Sequence, residues 1–61
     1  MKVTFDPRYN IAYIAFRDEV EEVESLCIEE DINIDLAPNG SIHGIELLNA
    51  DAQLGRLMLQ T

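Results

Sequence analysis

His43 is the only imidazole in the chain and stands three residues before Glu46. At that spacing the two can form an acid–base couple if both side chains reach one face, and Asp35 is the carboxylate that could complete a trio. Such a set would suit a small hydrolase or a metal-dependent enzyme. A nucleophile would have to be Ser25 or Ser41, and neither sits in a nucleophile elbow or beside oxyanion-hole glycines. The plainer reading of His43 is an exposed histidine on a hairpin. Asp31-x-Asn33-x-Asp35 places oxygen ligands at alternate positions, as the start of a calcium loop does. Counted from Asp31, the turn glycine is replaced by Leu36 and the bidentate glutamate by Ile42, so the segment reads as the solvated face of a strand. No metal and no cofactor are expected. Cys27 has no Lys, Arg or His beside it to activate it, which makes it an edge or interface thiol. Phe5, Tyr9, Tyr13 and Phe16 occur at strand spacing and read as core.

The elements that must hold these residues follow from periodicity. Val3 to Phe5 starts a strand, Asp6-Pro7-Arg8-Tyr9-Asn10 is a turn, and Ile11 to Phe16, apolar on both faces, reads as a strand covered on both sides. The acidic stretch from Arg17 to Glu24 has only Val20 and Val23 to bury, too narrow a stripe for a helix, and reads as a loop or the entry to an edge strand. From Leu26 a period of two appears: Leu26, Ile28, Ile32, Ile34 and Leu36 form a dry face, while Cys27, Glu29, Asp31, Asn33 and Asp35 form a wet one. Glu30 breaks the pattern and marks a turn or bulge near Glu30-Asp31. Pro38-Asn39-Gly40 is a hairpin turn. Ile42, Ile45 and Leu47 differ in parity, and one extra residue at His43-Gly44 realigns them, so Gly44 reads as a bulge. Asn49 is placed to cap a last helix in which Leu54, Leu57 and Met58 form the buried stripe. These readings predict an α+β domain spanning 1–61, an antiparallel sheet of four or five strands near 2–6, 11–17, 24–30, 31–36 and 41–48, and a helix over 50–59.

Val3-Thr4-Phe5-Asp6-Pro7, Ile11-Ala12-Tyr13-Ile14, Ile32-Asn33-Ile34-Asp35 and the segment from Asn39 to Ala50, in that order and spacing, resemble the small prokaryotic family known as domain of unknown function 2283. The resemblance covers nearly the whole chain. It implies a mainly antiparallel domain with a short terminal helix, and it carries over no reaction and no catalytic residue. It also implies an antitoxin-like role, in which a member acts beside a small ribonuclease-like toxin.

Composition limits the remaining choices. Twelve acidic side chains against four basic ones give a net charge of −8 and a pI near 4.2 in 61 residues. Nucleic acid is an improbable partner for such a chain, because phosphate contacts need Lys and Arg. No apolar run approaches the roughly 20 residues of a membrane-spanning helix. A single cysteine and the lack of a basic, apolar leader read as cytoplasmic. The hydrophobic content of 48% is that of a chain that folds, yet a domain this small has little core of its own. A homodimer is therefore expected. The leading functional expectation is a non-enzymatic protein–protein interaction module. Its contact residues would be Glu19, Glu21, Glu22 and Glu24, whose negative field favours a basic protein, together with Leu54, Leu57 and Met58 of the helix. The alternative is the enzyme built on His43, Glu46 and Asp35.

Overall fold

The computed structural model describes the backbone of residues 1–59 and the side chains of residues 1–56. Strands β1 (Lys2–Asp6), β2 (Ile11–Ala15), β3 (Glu24–Glu29), β4 (Ile32–Leu36) and β5 (Ile42–Leu48) precede one helix, α1 (Ala50–Leu59). The strands form a single antiparallel sheet in the order β1-β2-β5-β4-β3. The fold is thus α+β, with a five-stranded sheet and a C-terminal helix. The expected stretches 11–17 and 31–36 are slightly long: β2 ends at Ala15 and β4 begins at Ile32, after the Glu30-Asp31 turn. At the Asn39-Gly40 turn Gly40 adopts φ +88°, a region open to glycine without steric cost. Its N–H donates to the Ala37 carbonyl at 2.9 Å.

Residues paired across antiparallel strands project to the same face, so the register sorts the side chains into rows. Val3, Ile14, Ile45, Ile34 and Leu26 make one row, and Phe5, Ala12, Leu47, Ile32 and Glu29 the next. This is the apolar face, and α1 lies against its middle: Ala12, Leu47 and Ala50 are buried together, with Leu54 packed on them. The opposite face carries Thr4, Tyr13, Glu46, Asn33 and Cys27, followed by Lys2, Ala15, Gly44, Asp35 and Ser25. The expectation that Ile11 to Phe16 is covered on both sides is therefore corrected. Only the Ala12 side meets the helix, and Tyr13 lies on a polar surface. Nor is the dry register buried throughout. Ile32, Ile34 and Leu36 are half-buried, whereas Leu26 and Ile28 are exposed because β3 is an outer strand beyond the reach of one short helix.

The helix start also differs from expectation. Asn49 precedes α1 in a left-handed conformation (φ 51°), and the capping oxygen comes from Asn10 of the β1–β2 turn. Asn10, itself left-handed at φ 57°, accepts the Asp51 N–H on its side chain at 3.0 Å and the Ala50 N–H on its carbonyl at 2.9 Å. Its amide donates to the Asp51 carboxylate at 2.7 Å, which together with the Ala52 N–H holds that carboxyl below its ordinary range. A turn distant in sequence thus satisfies orphan donors of the helix, and Asn tolerates the required φ better than most residues. Asn10→Ala removes the cap and strains the turn. It should lower unfolding stability by about 1–3 kcal/mol in urea denaturation, with partial loss of helical circular dichroism.

Candidate functional site

The most structured group of polar side chains lies on the polar face around the start of β5. There β5 keeps an unbroken register with β2 while its register with β4 shifts, since Asp35 pairs with Gly44 but Leu36 pairs with Ile42. His43 is the extra residue. A bulge at this position re-aims its side chain, and His43 turns to the polar face, where it lines a cavity of about 500 Å³ with Tyr13, Arg17, Glu21 and Asp35.

Gly44 makes the arrangement of this cavity feasible. A Cβ on Gly44 would collide with the ring and hydroxyl of Tyr13, so the absent side chain lets the phenol lie across the strand and donate to Asp35 Oδ2 at 2.8 Å. Ser25 of β3 donates to the other Asp35 oxygen at 2.6 Å. Burial pushes the Tyr13 phenol up to about 12, helped by its bond to Asp35 and by the negative charges of Asp35 and Glu46. It is a neutral hydrogen-bond donor across the ordinary pH range. Beside it, His43 Nδ1 donates to Glu21 Oε2 at 2.6 Å and Arg17 Nε donates to the same oxygen at 2.9 Å. The hydrogen bond from His43 holds the Glu21 carboxyl below its usual range despite the opposing effect of burial, and the Arg17 charge adds to it. Arg17 also reaches Glu19 at 3.3 Å and Ser41 at 3.4 Å. This cluster fastens the acidic loop between β2 and β3 to the β5 bulge.

The residues singled out from sequence divide accordingly. His43 and Glu46 do share the polar face, but His43 bonds to Glu21, and Glu46 accepts from Asn33 at 3.0 Å. Glu46 lies outside the cavity lining that contains His43 and Asp35. Asn33 and Asp35 of the calcium-like spacing are each engaged by protein side chains. Among the described residues no group of three or more His, Cys, Asp or Glu side chains is placed to hold a metal ion. Glu19, Glu22 and Glu24 are exposed as expected. Glu21 is not a free surface acid: its side chain is only 13% exposed and ion-paired. Leu54 is committed to the core, and Leu57 and Met58 lie outside the residues whose side chains are described. Cys27 is exposed and its thiol donates to the Glu29 carbonyl. Sequence reasoning missed the Tyr13–Gly44 contact and the role of Arg17. The i, i+4 spacing of Arg17 and Glu21 was a legible signal for their pairing, whereas nothing local pointed to His43 as the third member.

A family described as proteins of unknown function, DUF2283, matches residues 2–50, the entire sheet and the first residue of the helix. The chain belongs to that family. No curated protein and no solved structure matches it. The DUF2283 membership agrees with the resemblance carried by the Asp-Pro turn, the Asn-Gly hairpin and the segment around Gly44, and it assigns no reaction. Tyr13, Asp35, His43, Gly44 and Glu46 of the polar face all fall within the matched residues.

Two measurements check this geometry. Gly44→Ala forces Tyr13 from its seat and should cost about 1–3 kcal/mol of stability, as overpacking does, and much less in a Tyr13→Val background where the space is free. Because the phenol is raised from 10.0 to about 12, its contribution to stability is complete below pH 10 and is lost as pH rises through about 12. In spectrophotometric titration Asp35→Asn should move the Tyr13 transition back toward its ordinary value.

Proposed function

We propose that the chain is a small, non-enzymatic protein–protein interaction module that works as a homodimer and engages a basic protein, in the manner of an antitoxin. The observation that carries this reading is the uncovered part of the apolar face. Val3 (60% exposed), Phe5 (50%), Phe16, Leu26, Ile28 (54%) and Ile42 all remain open around the helix, and large apolar side chains grouped on one exposed face mark an interaction site more often than singly scattered ones do. Along the β3 side this surface is bounded by acids. Glu24 and Glu29 stand at the two ends of the strand, and Glu19 and Glu22 lie in the loop before it, all exposed. An apolar centre with an acidic border favours a partner that brings apolar side chains ringed by Lys and Arg. The surplus of eight negative charges speeds encounter with such a surface and repels nucleic acid and anionic lipid. No helix among the described residues is long and apolar enough to cross a membrane. A ribonuclease-like toxin, whose RNA groove must be basic, fits this description of the partner.

The test uses tagged protein to capture partners from the source lysate, in wild-type form and in two variants. Replacing Glu19, Glu22 and Glu24 by Gln should slow association with the captured partner and flatten its salt dependence. Leu26→Asp with Ile28→Asp should abolish retention while leaving the fold intact, because both side chains are already exposed. Glu21 is left untouched, since it holds the loop. A partner that is acidic, or whose binding is indifferent to both variants and to salt, overturns the reading.

A further inference from the structure

The two outer strands of the sheet are protected to different degrees. β3 carries a bulge between Cys27 and Glu29 and an acid at each end, two devices by which edge strands avoid pairing with another chain. If two copies met in antiparallel fashion along the whole of β3, Glu24 of each would face Glu29 of the other. Like charges directly opposite are destabilising. β1 has no bulge, and the charges at its two ends, Lys2 and Asp6, are of opposite sign. It runs Lys-Val-Thr-Phe-Asp, pairs with β2 over five residues without a register shift, and leaves its outer edge unpaired.

The same full-length pairing applied to β1 gives the opposite result. With a two-fold axis through Thr4, Lys2 of each copy faces Asp6 of the other, Val3 faces Phe5, and Thr4 faces Thr4. Both ends of the strand are then matched by opposite charge. The inner pairs are aromatic with β-branched and Thr with Thr, both favourable across antiparallel strands. Register shifts in either direction lose the charge match. Facing residues share a sheet face, so both Val3–Phe5 pairs fall on the apolar face and both Lys2–Asp6 pairs on the polar one. Arg8 engages Oδ1 of Asp6, which leaves Oδ2 for the lysine.

We propose that a second copy of this chain pairs with β1 in this register, joining two five-stranded sheets into one continuous antiparallel sheet. The inference rests on the homodimer proposed above and specifies its interface. It doubles the apolar face while keeping both acidic β3 borders at the outer ends, clear of the two-fold axis and open to a partner.

Charge swaps on the full chain test the register, with mass measured by sedimentation and folding checked by circular dichroism. Lys2→Asp places acids opposite one another at both ends, and Asp6→Lys places two bases there. Each should raise the dimer dissociation constant about tenfold. An equimolar mixture of the two variants restores both opposite-charge pairs and should return the constant to within about threefold of wild type. In a Cys27→Ser background, Thr4→Cys should oxidise to a covalent dimer, because paired strand positions lie within disulfide reach. Leu26→Cys on β3 should not. A wild-type dimer that is indifferent to both charge variants and gives no Thr4→Cys cross-link overturns the β1 interface while the homodimer stands. A wild-type monomer at tens of micromolar overturns both.

Discussion

One extra residue in the central strand governs the functional half of this molecule. β5 is hydrogen-bonded on both sides and has to satisfy β2 in one register and β4 in two, so a residue must be accommodated without a partner on the β4 side. His43 is that residue, and the following Gly44 has no side chain to obstruct the polar face. Two consequences follow from the same local geometry. His43 is turned away from the apolar register that its parity would otherwise assign, and Tyr13 settles over the glycine to reach Asp35. Four strands and the long acidic loop are then engaged by side chains: Ser25 and Asp35 from β3 and β4, Tyr13 from β2, Arg17 and Glu21 from the loop, and His43 from the β5 bulge. Apart from the exposed Ser25, these are partly buried polar groups, so their hydrogen bonds matter chiefly because leaving any one unmet would cost more than the bond contributes.

The other face is held by much less. Only Ala12, Ala37, Leu47 and Ala50 are buried hydrophobic residues among those described, and three of the four are alanines. A short helix covers the middle of the sheet and depends for its position on the Asn10 cap and on Gln53, whose amide donates to the carbonyls of Asp31 and Leu48. Polar bonds thus position an element that hydrophobic packing alone would leave loosely placed. The apolar rows at either side remain open because a single helix spans about 10 Å in width, while five strands spaced about 4.8 Å apart present nearly twice that. Uncovered area is therefore a geometric consequence of the fold, and it gives an interaction module its surface.

Much of the architecture was legible in the residues themselves. The period of two from Leu26 to Leu36, the Pro38-Asn39-Gly40 turn, the parity break at His43-Gly44 and the helical spacing after Asn49 express local constraints: side-chain alternation, φ preference and the sterics of glycine. They point to four or five strands with bounds within two residues of those observed, to the helix, the bulge and the fold class, and some of these segments also carry the family resemblance. What the sequence left open are relations between segments far apart in the chain. Strand order decides that Leu26 and Ile28 lie exposed although their pattern is that of a buried face. Three-dimensional proximity decides that Asn10 caps the helix in place of Asn49, and that His43 belongs with Glu21 and not with Glu46. Local propensity acts over a few residues, whereas these contacts join positions 22 to 41 residues apart, and only the folded sheet brings them within hydrogen-bond distance.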